Sequence, residues 1–212
     1  MRAILFANGE INDLQGAKAL VRLDDLVIAA DGGARHCQAL GLNPKAILGD
    51  LDSLTPEEVK DWEEAGVEII RHEADKDETD LELALLYARQ QGVKEAVVLG
   101  GLGRRWDQTL ANLMLPALES LDGLQVAYWA DGQWLYFVDS VIEIQGEAGW
   151  TVSLIPIGGD ARGVTTEGLK WPLAEGTLYF GASRGVSNLM TGEAARITLD
   201  GGMLLVVVGG GE

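Results

Sequence analysis

Ala96-Val97-Val98-Leu99-Gly100-Gly101-Leu102-Gly103-Arg104-Arg105-Trp106-Asp107 passes from an apolar run, through glycines, into a helical stripe. Ala96–Leu99 reads as a strand. From about Trp106 to Leu121, the residues Leu110, Leu113, Met114, Leu118 and Leu121 share one face, which predicts a helix. Pro116 interrupts that stripe and should kink the helix, freeing the carbonyl of Asn112. A loop between strand and helix can offer backbone N–H groups and a helix N-terminus to phosphate. It lacks the Walker lysine and the full dinucleotide fingerprint, so glycine alone is a weak signal. Arg104 and Arg105 strengthen it, because a guanidinium grips phosphate oxygens bidentately. Asp107 orients an arginine, binds metal or caps the helix.

The same alternation extends toward the N-terminus. Ile4–Ala7, Leu26–Ala30, Ala46–Leu48 and Val67–Ile70 are further short apolar runs. Thr55-Pro56-Glu57-Glu58 is a capping box with proline at the first helical position. Thr79 to Gln91 carries Leu81, Ala84, Leu85 and Ala88 on one stripe. Alternating strands and helices imply an α/β domain, a largely parallel sheet with helices on both faces. After about Asp122 the helical period disappears. Short strand-like runs follow, at Gln125–Trp129, Trp134–Val138, Ile142–Ile144, Thr151–Ile155, Gly163–Thr166, Thr177–Phe180, Ala195–Leu199 and Met203–Val208. Turn signals separate them, among them Gly158-Gly159-Asp160. The expected organisation is an α/β domain over residues 1–123 and an all-β sandwich or barrel over 124–212, with no long linker.

The 212 residues suffice for a good core, with 47% apolar and 23% charged side chains. A net charge of −17 argues against nucleic-acid binding and against docking on an anionic membrane. Cys37 is the only cysteine, which excludes an intrachain disulfide and a cysteine-rich zinc site. No signal peptide or membrane-length apolar run is recognisable, so a cytoplasmic protein is expected. His36 and His72 lack metal-ligand spacing and read as structural or surface residues. Of the six tryptophans most should be core; Trp171 could instead stack on a flat or cationic ring.

In open α/β sheets, ligands bind at the carboxyl ends of the strands. Asp31, Asp50, Asp52 and Gly100 all fall at such ends. In an extended strand end, Asp50 and Asp52 point the same way and repel unless a cation lies between them. Mg²⁺ accepts one or two such carboxylates and takes substrate phosphates besides. A plain turn, with Ser53 as a helix cap, explains that pair equally well. Asp77 and Asp80 flank the next helix, where Thr79 and Glu82 form a possible capping box. Four carboxylates at one sheet edge are hard to justify as stability.

Ala30-Asp31-Gly32-Gly33-Ala34, Gly49-Asp50-Leu51-Asp52-Ser53, Lys76-Asp77-Glu78-Thr79-Asp80, Gly100 to Gln108 with Asn112, Gly168 to Leu173 and Gly185-Val186-Ser187-Asn188 together closely resemble the thiamine pyrophosphokinase family. They occur in that family's order and spread over most of the chain. The resemblance implies pyrophosphate transfer from ATP to the hydroxyethyl group of thiamine, with Mg²⁺, in a homodimer. It implies Asp50, Asp52, Asp77 and Asp80 as Mg²⁺–ATP carboxylates, with Arg105 also catalytic. It places Asp31, Gly49, Thr79, Gly100, Gly101, Gly103, Arg105 and Asp107 on the phosphate side of ATP, and Trp171, Ser187 and Asn188 on the thiamine side. Arg104 stands where the family often has glycine, and Gln108 where histidine is common. Two alternatives are a diphosphokinase acting on another alcohol, such as a hydroxymethylpterin, and a nucleotide-sugar transferase using Asp50-Leu51-Asp52. A nucleotide-sensing protein without turnover is a third.

Overall fold

A computed structural model of the chain describes residues 1–103 and 105–210. The chain divides into two compact units, Met1–Asp131 and Gly132–Glu212.

The first unit is an α/β layer structure. Its elements are β1 (Arg2–Phe6), α1 (Leu14–Leu20), β2 (Leu26–Ala30), α2 (Ala34–Leu40), β3 (Ala46–Gly49), α3 (Pro56–Glu64), β4 (Glu68–Arg71), α4 (Asp80–Gln90), β5 (Glu95–Leu99), α5 (Trp106–Met114) and β6 (Gln125–Ala130). The strands run in the order β4-β3-β2-β1-β5-β6, all parallel. β1 lies at the centre, and Ala3, Ile4, Leu5 and Phe6 are fully buried. This is why the apolar runs are continuous rather than alternating: parallel strands are covered on both faces. α2 packs on β1 and β2, α4 on β1, β2 and β3, and α3 on β4.

Two expectations change here. Gln125–Trp129, grouped by sequence with the all-β part, pairs in parallel with β5 as β6, so the α/β unit extends to Asp131 rather than ending at 123. The helix expected from Trp106 to Leu121 ends at Met114 and continues as two short 3₁₀ turns, Leu115–Ala117 and Glu119–Leu121. Pro116 breaks the helix rather than kinking it. The Asn112 carbonyl accepts from Leu115 N and, at 2.6 Å, from the buried Tyr128 hydroxyl.

The second unit is antiparallel and strand-rich: β7 (Gln133–Val138), β8 (Val141–Gln145), β9 (Thr151–Glu167), β10 (Gly176–Leu178), β11 (Asn188–Leu189), β12 (Ala194–Thr198) and β13 (Gly201–Gly209). β13 pairs with β7 and β9, and β12 with β8 and β9. Leu204, Val206 and Val208 alternate along β13 into one core with Val152, Leu154, Val164 and Ile197. Trp134 stacks on Tyr136 with ring centroids 5.6 Å apart. The two strands expected at Thr151–Ile155 and Gly163–Thr166 are one 17-residue strand, β9. Gly158 (φ +73°) and Gly163 (φ +65°) bend it without ending it. Only Trp129 of the six tryptophans is buried; Trp106 and Trp171 are exposed. Among the described residues, no helix is long and apolar enough to cross a membrane.

Candidate active site

The chain winds outward from β1 to β4, then returns to lay β5 on the other side of β1. Beyond the carboxyl ends of β1 and β5 the flanking loops must separate, which leaves a crevice. A cleft of about 550 Å³ opens there, bordered by Ala7–Glu10, Asp31, Asp50, Asp52, Ser53, Thr79, Asp80, Gly100–Gly103, Arg105, Gln108, Thr109 and Asn112.

Backbone bonds set its floor. Ala7 N donates to Leu99 O and Gly9 N to Gly100 O, each at 2.8 Å. A Cβ on Gly9 would lie 2.3 Å from Gly100 O, so only glycine permits this approach. His36 Nε2 donates to Gly9 O at 2.7 Å, which puts a proton on Nε2 and ties α2 to this loop. The Asp131 carboxylate accepts from Asn12 Nδ2 at 2.7 Å and from the backbone of Asn12 and Asp13, tethering the same loop.

Three carboxylates converge on one wall. Asp31 opens a 3₁₀ turn at φ 46°, and 5% of its surface is exposed. Its Oδ1 is buried with no hydrogen-bond partner among the described residues. Ligand oxygens of Asp31, Asp50 and Asp52 lie within 4.8 Å of one another. The Asp50–Asp52 segment is not extended, because Leu51 between them adopts φ 63°. Its apolar side chain is buried, and the tight turn left behind lets the Asp52 N–H reach Asp50 Oδ1 at 3.2 Å. Ser53 is not the helix cap. Thr55 caps α3 in a full capping box, while Ser53 donates to Asp52 Oδ1 at 3.2 Å.

Asp80, the first residue of α4 after its Thr79 cap, borders the cleft and pairs with Lys76 at 2.7 Å. Gly49 separates this residue from Asp31: a Cβ there would lie 3.0 Å from Asp80 Cγ and 3.1 Å from Asp31 Cβ. Asp77 is exposed and is neither a cleft residue nor part of the three-carboxylate group. The all-oxygen set of Asp31, Asp50 and Asp52 could hold a hard divalent cation.

The opposite wall is the glycine loop. Asn112 Nδ2 donates to Gly101 O at 2.6 Å, and Gly103 N donates to Thr109 Oγ1 at 3.1 Å. The Gly103 N–H is therefore already engaged within the fold. Arg105 is the N-cap of α5 and brings no capping acceptor to the first turn. Its guanidinium pairs with Asp107, Nε to Oδ1 at 3.2 Å. The hydrogen bond between them raises the Arg105 pKa and lowers that of Asp107. Arg104 lies outside the described residues.

The thiamine-side residues of the sequence analysis belong to the second unit. Asn188 Oδ1 accepts from Trp171 N at 3.1 Å, and Asn188 Nδ2 donates to Trp171 O at 2.7 Å. The Trp171 ring is exposed and lies 4.7 Å from Lys170 Nζ. Ser187 sits at φ 61°, its N–H donating to Ser153 Oγ at 3.0 Å.

Sequence reasoning passed over Asn8 and Thr109. Asn8 follows the apolar run of β1 just as Asp31 follows that of β2, so the strand-end rule applied to the first strand would have found it. Nothing in the pattern distinguishes Thr109.

A family model described as "Thiamin pyrophosphokinase, catalytic domain" matches residues 17–122. A second, "Thiamin pyrophosphokinase, vitamin B1 binding domain", matches residues 139–204. Thiamine pyrophosphokinase 1 of Oryza sativa subsp. japonica is 28% identical over 175 residues, covering 77% of this chain and 66% of its own length. The chain thus spans about two thirds of that relative. Thiamine pyrophosphokinase of Bacillus subtilis (strain 168) is 26% identical over 184 residues, covering 86% of each. The crystal structure of thiamine pyrophosphokinase from Bacillus subtilis superposes with a TM-score of 0.88 over all of both chains at 24% identity, a likeness of fold. With one model lying on the α/β unit and the other on the antiparallel unit, the chain belongs to the thiamin pyrophosphokinase family.

Proposed function

We propose that the chain transfers pyrophosphate from Mg²⁺–ATP to the hydroxyethyl group of thiamine, giving thiamine diphosphate and AMP, and works as a homodimer. The observation that carries this reading is one cleft whose walls are a three-carboxylate cluster, a glycine loop and Arg105. Family membership supports the choice of substrates.

The donor set fits Mg²⁺. The buried Asp31 Oδ1 has no hydrogen-bond partner among the described residues, a costly arrangement that a cation offsets. Held by Asp31, Asp50 and Asp52, with Asp80 nearby, the ion would neutralise phosphate charge and anchor ATP oxygens. Asp77, exposed and away from the cleft, is left out of this set.

The thiamine hydroxyl would attack the β-phosphorus in line, with AMP leaving. Asp80, whose Oδ1 pairs with Lys76, would orient that hydroxyl or take its proton. Arg105 would exchange Asp107 for phosphate oxygens, a swap of one oxyanion for another. The first turn of α5, which Arg105 leaves without a side-chain cap, adds N–H groups for an anion. On the thiamine side, Trp171 offers its ring and Ser187 its hydroxyl. Asn188 first holds the Trp171 backbone.

The test is AMP release from Mg²⁺–ATP by the purified protein, with and without thiamine, and product identification by mass. Thiamine-dependent AMP together with thiamine diphosphate supports the reading. ATP binding without that product rejects the thiamine assignment and redirects the search to pterin alcohols.

A further inference from the structure

We propose that Asn8 is a positioning residue for the cation site, its amide presetting the carboxylates of Asp31 directly and of Asp52 through Ser53. The proposal rests on the divalent-cation reading above.

The backbone fixes Asn8 on both sides. Ala7 N is bonded to Leu99 O, and Gly9 is held at its N–H by Gly100 and at its carbonyl by His36. The Asn8 side chain lies against Gly32, where a Cβ would come within 2.2 Å of Asn8 Oδ1. An amide nitrogen has two protons to give. Asn8 Nδ2 is 2.9 Å from Ser53 Oγ and 3.4 Å from Asp31 Oδ2. Carboxylates only accept, so the amide nitrogen must be the atom facing Asp31. Having accepted from Asn8, the Ser53 hydroxyl gives its single proton to Asp52 Oδ1 at 3.2 Å. The Asp52 N–H covers Asp50 Oδ1.

Each of the three carboxylates therefore has one oxygen engaged by a neutral donor. This differs from Asp80, which is held by the ammonium of Lys76. A neutral donor fixes a carboxylate's rotation while leaving its charge for a cation. A lysine fixes it and cancels the charge. Without Asn8, mutual repulsion would turn Asp31 and Asp52 apart, and an arriving ion would have to gather them again. Hydrogen bonds of this kind, one step behind the ligands, are typically worth ~10–100-fold in metal affinity.

The experiment is Mn²⁺ titration of the full chain, reading the free-ion electron paramagnetic resonance signal, for wild type, Asn8→Ala, Asn8→Leu and Ser53→Ala. Circular dichroism checks that each variant is folded. Wild type should bind Mn²⁺, and both Asn8 variants should bind about tenfold more weakly. Ser53→Ala, which spares the Asn8–Asp31 bond, should lose less. In turnover assays Asn8→Ala should raise the Mg²⁺ concentration for half-maximal rate, with kcat recovering at high Mg²⁺ and the thiamine KM unchanged. A purely architectural role would lower kcat at every Mg²⁺ concentration. Asn8 variants that bind Mn²⁺ within twofold of wild type overturn the proposal and leave the cation reading intact. A wild type that binds no Mn²⁺ sinks the cation reading and the proposal with it.

Discussion

Asp31 combines two features that folding alone would avoid: a left-handed backbone and a buried carboxylate oxygen with no hydrogen-bond partner among the described residues. Replacing it by Asn keeps the size, tolerates the backbone and removes the charge. Asp31→Asn should therefore melt about 2–4 °C higher in chelator, equivalent to about 1 kcal/mol, while turnover collapses. Thermal unfolding with and without Mg²⁺ checks this; a lower melting point in chelator would make Asp31 a structural residue. Asp31 and Asp50 were legible in sequence because each follows an apolar run on the edge where parallel sheets bind ligands, and Asp52 because it stands two residues after Asp50. The place of Asn8 was legible by the same strand-end rule, but its role was not, since that role depends on Ser53, 45 positions away. Leu51 hid for the opposite reason: its left-handed backbone brings its neighbours together, and no pattern marks a leucine for that conformation.

At the level of elements, α2 and α3 are tied by a bidentate pair, Arg35 Nε to Glu58 Oε1 at 2.8 Å and Nη2 to Oε2 at 2.9 Å. Glu58 also closes the capping box of α3 through Thr55 N. The Arg35 bond above all, then the Thr55 N–H, holds the Glu58 carboxyl at about 2, down from 4.5. A carboxyl depressed on folding stabilises the protein above its unfolded value and loses that contribution as pH falls through the folded one. Glu58→Gln should thus lower the melting temperature near neutral pH, by a small margin because the pair is solvent-exposed. The difference from wild type should shrink between 4.5 and about 2 and vanish below. A constant offset across an acid titration would show that the charge contributes nothing. Elements were legible where a local signal set them, as in the α3 capping box. They were misread where a distant partner did. β6 carries an alternation that suits either sheet type, and its parallel pairing with β5 is decided by the first unit's fold. Gly158-Gly159-Asp160 reads as a turn, yet the chain bends there and continues as the same strand, β9.

The whole molecule carries a net charge of −17, which opposes self-association unless apolar surface offsets it. The second unit has such surface: Trp171, Tyr179, Phe180 and Val186 are all exposed within one stretch of chain. A homodimer using these side chains should sediment at twice the chain mass, and Tyr179→Ser with Phe180→Ser should return it to a monomer. Sedimentation equilibrium of wild type as a monomer would remove the dimer. β9 pairs with β10, β11, β12 and β13, so most ladders of the antiparallel unit share one strand. Apart from the β9–β10 hairpin, these ladders join residues far apart in the chain, which slows folding. It should fold slowly, and the glycines at the bend of β9 are a poor place to insert a tag or split the chain, however much they look like a loop.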